Sequence, residues 1–156
     1  MRKIYITLFL AVFTVVNAMS QESLTWHTDM NKAFDIATKE NKTLLLFFTG
    51  SDWCGWCIKL QNEVLKTPDF ENWAKEKVVL VELDFPRRRK LDKELQIQNH
   101  QIQKMFNVRG FPTVFFAYPE VTSEGKKNLN TLGSTGYVRG GAKQWLAVAN
   151  SIVKNN

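Results

Sequence analysis

The chain has 156 residues, 44% of them hydrophobic, and its 21 basic against 15 acidic residues give a net charge of +6. That length holds one domain with a real core and is too short for two. So mild an excess of positive charge gives no ground for a nucleic-acid partner.

The chain opens with Arg2 and Lys3, runs through an apolar stretch from Ile4 to Val16 broken only by Thr7 and Thr14, and reaches the small-residue pattern Ala18-Met19-Ser20. These are the three parts of a secretory signal peptide, expected over residues 1–20, with cleavage after Ser20 or after Ala18. The apolar core falls short of the roughly 17 to 25 residues of a spanning helix, which disfavours a retained anchor. No cysteine lies near the cleavage region, so lipid anchoring is not indicated. Residues 21–156 remain as a single domain, with 19 basic against 15 acidic residues, or +4.

Within that domain, Leu24 to His27 reads as a short first strand, and Ala33, Phe34, Ile36 and Ala37 give a helical pattern that ends near Asn41. Thr43 to Thr49 is too apolar to be half exposed and is expected as a central strand covered on both faces. A helix runs from Cys54 through Ile58, Leu60, Val64 and Leu65. Thr67-Pro68-Asp69 starts another, with Phe70 and Trp73 on its buried side. Val78 to Phe85 is a strand stopped by Pro86. From Leu91 to Phe106 an amphipathic helix is expected, with Leu91, Leu95, Ile102, Met105 and Phe106 toward the sheet. Thr113 to Tyr118 is a strand, Glu124 to Lys127 a turn, and Leu129 to Leu132 an antiparallel return. Gly140-Gly141 opens a last helix with Trp145, Leu146, Val148, Ala149, Ile152 and Val153 on its apolar side. The order indicates an α/β fold with a mixed sheet and helices on both faces.

Cys54-Gly55-Trp56-Cys57 holds the chain's only cysteines, directly after the central strand. A thiol attacks a disulfide as thiolate, and a helix N-terminus lowers a cysteine pKa from about 8.5 through its partial positive charge. The i, i+3 spacing puts Cys57 on the same helical face, within reach of a disulfide. As a structural staple the pair is weak, since so small a loop contributes only roughly 2 kcal/mol. Zinc needs four ligands, and His27 and His100 are not at finger spacing, so no metal site is assigned. In an exported chain a lone CxxC is more often catalytic than structural. Arg87-Arg88-Arg89-Lys90 reads as a solvated helix start, with docking to an acidic partner or anionic surface as the alternative.

A strand, a CxxC at a helix head, a second strand and Arg109-Gly110-Phe111-Pro112-Thr113 entering a third together resemble the thioredoxin superfamily, from about Leu24 to Val153. Trp53, the string Asp52-Trp53-Cys54-Gly55-Trp56-Cys57 and the signal peptide are most similar to exported bacterial thioredoxin-like proteins, including the DsbD C-terminal domain and DsbH-type periplasmic reductases. The resemblance implies a thioredoxin fold and a redox disulfide between Cys54 and Cys57. It also implies a cis Pro112 facing the pair, with Phe111 offering backbone hydrogen bonds to an extended substrate. Read without it, Pro112 is a strand-edge residue in the common trans form. Trp53, Gly55, Trp56, Phe111 and Pro112 are the substrate-binding candidates, although aromatic residues beside a CxxC are also ordinary packing.

Two departures stand out. The family's aspartate six residues before the first cysteine is matched by Phe48, and the acid four residues after the second is matched by Gln61. Glu82 is the candidate replacement as proton acceptor for Cys57, with an ordinary strand-edge glutamate as the plain alternative.

The resemblance implies a periplasmic thiol-disulfide oxidoreductase, chiefly a disulfide reductase acting on disulfide-containing proteins. No flavin, nicotinamide or metal motif is present, so no cofactor is assigned. Electrons are expected from a membrane donor of the DsbD type. Oxidase or isomerase work uses the same chemistry, thiol peroxidase work is a weaker rival, and a noncatalytic peptide-binding module is the alternative from another class.

Overall fold

The structure, a computed structural model, describes residues 24–153. The leader expected over residues 1–20 lies outside them. Among the described residues five strands form one sheet in the order β1-β3-β2-β4-β5: β1 (Trp26–His27), β2 (Thr43–Thr49), β3 (Val78–Asp84), β4 (Thr113–Val121) and β5 (Lys127–Thr135). Strands β1, β3 and β2 are parallel, whereas β4 runs antiparallel to both β2 and β5. The helices are α1 (Met30–Glu40), α2 (Gly55–Leu60), α3 (Pro68–Lys77), α4 (Lys93–Met105) and α5 (Gly141–Val153), and a π-helical turn, Gln61–Leu65, continues α2.

Every residue of β2 is buried, and its alternation divides the core. Leu45 and Phe47 face a layer with Leu60, Val64, Phe70, Trp145 and both cysteines, so α2, α3 and α5 cover that side. Leu44, Leu46 and Phe48 face Ala33, Phe34, Ile102 and Phe106 of the α1 and α4 layer. Trp145 is the largest fully buried side chain. Its ring lies 5.8 Å from that of Phe70 and 6.2 Å from that of Phe116, and its indole N–H donates to Gly136 O at 3.0 Å. Burying such a side chain contributes about 2–3 kcal/mol on area alone.

The helix ends follow their local chemistry. Asp29 caps α1 by accepting from the N–H groups of Asn31 and Lys32, and Asn41 closes it in the left-handed region at φ 54°. Thr67 caps α3, with Pro68 in the first turn where a missing N–H costs nothing. At the head of α5, Gly141 has φ 71°, a conformation that favours glycine.

Several expectations are corrected. The first strand is two residues long, since only Trp26 and His27 pair with β3. Strand β3 ends at Asp84 rather than Phe85. Cys54 is the N-cap of α2 and not its first helical residue. The terminal hairpin is longer than the apolar pattern suggested, because β4 and β5 continue pairing out to Val121 and Lys127 through polar residues. On α4, Met105 is 67% exposed, and Asn99 is buried in its stead because its amide donates to Asp84 O at 3.0 Å. The run Arg87–Lys90 is not a helix start: it is a loop between β3 and α4, tied down by partners far away in sequence.

Candidate active site

Strand β2 delivers the chain to Gly50, whose carbonyl accepts from both Trp53 N (3.2 Å) and Cys54 N (2.9 Å). Gly50 is required here by space, since a Cβ would overlap the Trp53 indole. The turn leaves Cys54 at the N-cap of α2 with extended backbone, its Sγ accepting the Cys57 N–H at 3.2 Å. Cys54 and Cys57 form a disulfide, with Cα atoms 5.2 Å apart. Cys57 is fully buried and Cys54 is 6% exposed, so the two sulfurs differ in access. An N–H directed at Sγ, together with the helix dipole, is the environment that favours a thiolate.

The loop before Cys54 is held by two carboxylates. Asp84, buried at the end of β3, accepts from Ser51 N (2.8 Å) and Ser51 Oγ (2.7 Å) and forms an ion pair with Arg89. Asp52 accepts from the backbone N–H groups of Arg87 (3.0 Å) and Arg88 (2.7 Å). The Arg87 N–H in particular holds the Asp52 carboxyl below the usual range, with desolvation opposing it and the Arg88 N–H adding to it. The indole N–H of Trp53 donates to Phe85 O at 2.8 Å, and the Arg87 guanidinium lies 3.8 Å from its ring centroid.

Phe111 meets the edge of Trp53 at 5.9 Å and stacks on Phe85 at 5.1 Å, which places Arg109–Thr113 beside the disulfide loop. The Phe111-Pro112 peptide bond is cis. Gly136 packs on the other side, where a Cβ would come within 3.2 Å of Pro112 O. Trp56, between the cysteines, is 58% exposed, and its ring lies 5.2 Å from Tyr137. The Tyr137 hydroxyl donates to Glu63 at 2.5 Å, which raises the phenol pKa because the bond requires the proton. Lys59 lies over both rings. Gly55 is exposed with open space around it.

Glu82 is on the cysteine side of the sheet by the alternation of Val78, Leu80 and Glu82. It lines a cavity of about 200 Å³ with Trp26, Phe47, Gln61, Leu65 and Lys66. Burial raises its pKa, the negative charge of Asp84 adds to the effect, and Arg89 opposes it. Phe48, matched in sequence to the family's aspartate, faces the opposite layer against Phe115 and Phe106. Thr49 takes the cysteine side instead, and its buried hydroxyl has no hydrogen-bond partner among the described residues.

The structure thus brings Trp53, Cys54, Trp56, Cys57, Phe111 and Pro112 into one site. The sequence reading missed Ser51, Asp84, Lys59 and Tyr137. A second carboxylate at the C-terminal end of β3, just before the turn at Pro86, was the available signal for Asp84.

Residues 30–138 match the family described as thioredoxin-like domain. The disulfide bond reductase DsbH of Chlamydia pneumoniae is 32% identical over 123 residues, 79% of this chain and 69% of that protein. Among solved structures, a DsbH oxidoreductase superposes with a TM-score of 0.73 at 31% identity, covering 86% of this chain and 87% of that one. The oxidised C-terminal domain of Neisseria meningitidis DsbD shares the fold, with a TM-score of 0.51 at 19% identity over 83% of this chain and 98% of that one. With its CxxC closed as a disulfide at the head of α2, the chain belongs to the thioredoxin-like family and is a thiol-disulfide oxidoreductase of the DsbH type.

Proposed function

We propose that the protein works as a disulfide reductase on exported, disulfide-containing proteins in the periplasm. The observation that carries this reading is the asymmetry of the pair: Cys54 Sγ sits at the site's rim as the helix cap, and Cys57 lies fully buried one turn below. In the reduced protein the Cys54 thiolate attacks one sulfur of a substrate disulfide, and the other leaves as a thiolate that takes up a proton. A mixed disulfide joins Cys54 to the substrate. Cys57 then loses its proton and attacks Cys54 Sγ, the second substrate thiol departs, and two electrons have passed from the dithiol to the substrate. Glu82, whose carboxyl is already disposed to hold a proton, is the acceptor for Cys57.

Trp53, Gly55, Trp56, Phe111 and Pro112 form the surface that an extended substrate crosses. The leader expected over residues 1–20 supports export, and the name of the Chlamydia pneumoniae relative agrees with the reductive direction. A membrane donor of the DsbD type recharges the dithiol.

Equilibration with glutathione buffers of graded potential, followed by alkylation and mass measurement, tests the direction. A midpoint near or below about −250 mV is expected; one above about −180 mV would assign oxidase or isomerase work instead. Cys57→Ser should accumulate the mixed disulfide, and Cys54→Ser should form none.

A further inference from the structure

The thiol chemistry makes no use of the basic loop, yet the fold fixes that loop beside Cys54. Asp52, two residues before Cys54, holds the backbone of Arg87 and Arg88, and the Arg87 guanidinium lies over the Trp53 ring. Arg89 is neutralised by the buried Asp84. Among the described residues, Arg87, Arg88, Lys90, Arg109 and Arg139 form no ion pair with a carboxylate. All five are exposed. Arg109 and Arg139 lie two residues from Phe111 and Tyr137, whose rings meet Trp53 and Trp56.

Against these five cations stand the charges of Asp52 and of the exposed Asp92, while Asp84 is matched by Arg89, so the rim stays net positive. Asp52 keeps its charge while accepting two backbone N–H groups, and Glu63 is matched by Lys59. A rim with exposed, unpaired cations around an exchange-competent disulfide fits a ligand that brings both a cystine and negative charge. We propose that this rim is a docking surface for acidic polypeptide, and that the preferred substrates carry Asp or Glu beside the disulfide they present. The proposal rests on thiol-disulfide exchange at Cys54. A nucleic acid or an anionic membrane would match the charge but brings no disulfide to the cysteines.

The test is single-turnover oxidation of the pre-reduced protein by three cystine peptides that differ only in their flanks, Glu-rich, Gln-rich or Lys-rich. Each rate is divided by that peptide's rate with dithiothreitol, which removes differences in intrinsic reactivity. At about 20 mM ionic strength the acidic peptide should react about tenfold faster than the neutral one, and the two should converge to within about twofold at 0.5 M salt. The variant R88Q/K90Q should lose about threefold of the preference, whereas K126Q, in the remote β4–β5 turn, should lose none. Equal normalised rates at low salt, a preference for the Lys-rich peptide, or an equal loss in K126Q would overturn the docking proposal while leaving the exchange reading intact. That includes the case in which an oligonucleotide or anionic vesicle binds but the peptides are not distinguished. Failure to react even with the neutral peptide would overturn both.

Discussion

Asp84→Ala removes the carboxylate that fastens the cysteine loop to the sheet. Ser51 N–H loses its acceptor, which costs about 1–2 kcal/mol at a half-buried position, and the Ser51 hydroxyl loses a charge-assisted bond worth about 1.5 kcal/mol. The Arg89 guanidinium is half exposed and can turn to water, so the ion pair adds less than about 1 kcal/mol. The Asn99 bond to the Asp84 main chain is unaffected. Together these effects make a loss of about 3 kcal/mol, and Asp84→Asn, which keeps one acceptor, should lose about half of it. In urea the alanine variant's midpoint should fall by roughly 2 M for a slope near 1.5 kcal/mol/M, with the slope unchanged. A double-mutant cycle with Ser51→Ala should give a coupling above about 1 kcal/mol. A total loss under about 1 kcal/mol, or no coupling, would refute the reasoning and show that the loop is held by something other than this carboxylate.

Gly50→Ala should cost about 1–3 kcal/mol by forcing the Trp53 ring aside, read as a lower thermal midpoint and a changed rate of reaction at Cys54. Trp145→Ala should cost about 3–5 kcal/mol and loosen the Gly136 segment behind Pro112, measurable by denaturation and amide exchange. Because burial raises the Glu82 pKa above its unfolded value, the folded state binds that proton more tightly. Its contribution to stability is therefore present at pH below the unfolded value and is lost as pH rises through the folded one. Glu82→Gln should flatten that fall and leave the protein more stable on its alkaline side. If Glu82 accepts the Cys57 proton, the same variant should also slow release of the mixed disulfide near neutral pH. An unchanged pH profile for that step would remove Glu82 from the mechanism.

The parts of this fold legible in the sequence are those fixed by local pattern. Thr43–Thr49 declares itself because seven consecutive residues without a charge have no solvent face to offer, and the observed strand has those same ends. Thr67-Pro68 declares a helix start because the hydroxyl acceptor and the missing N–H suit that position alone. The CxxC was legible for the same reason, since its spacing is itself the geometry. What stayed hidden depends on distant partners. Asn99 is buried because Asp84, 15 residues earlier, offers it a carbonyl, and no periodicity reveals that. The basic loop looks like ordinary solvated charge until Asp52, some 35 residues away, is seen to hold its backbone. Helix α4 satisfies its buried face with Asn99 and Ile102, and the C-cap Phe106 continues it, which leaves Met105 in solvent despite its apolar side chain.

The ends of the sheet decide whether another chain can pair with it. An open strand edge is a template on which such a chain can add itself and stay. Here one edge, β1, offers only two residues. The other, β5, is nine residues long, but it carries Lys127, Asn128, Asn130 and Thr131, and its register against β4 shifts where Leu132 bulges between the partners of Phe116 and Ala117. Among the described residues the sheet therefore presents no long, smooth apolar margin on which an unpaired polypeptide could add itself as a further strand.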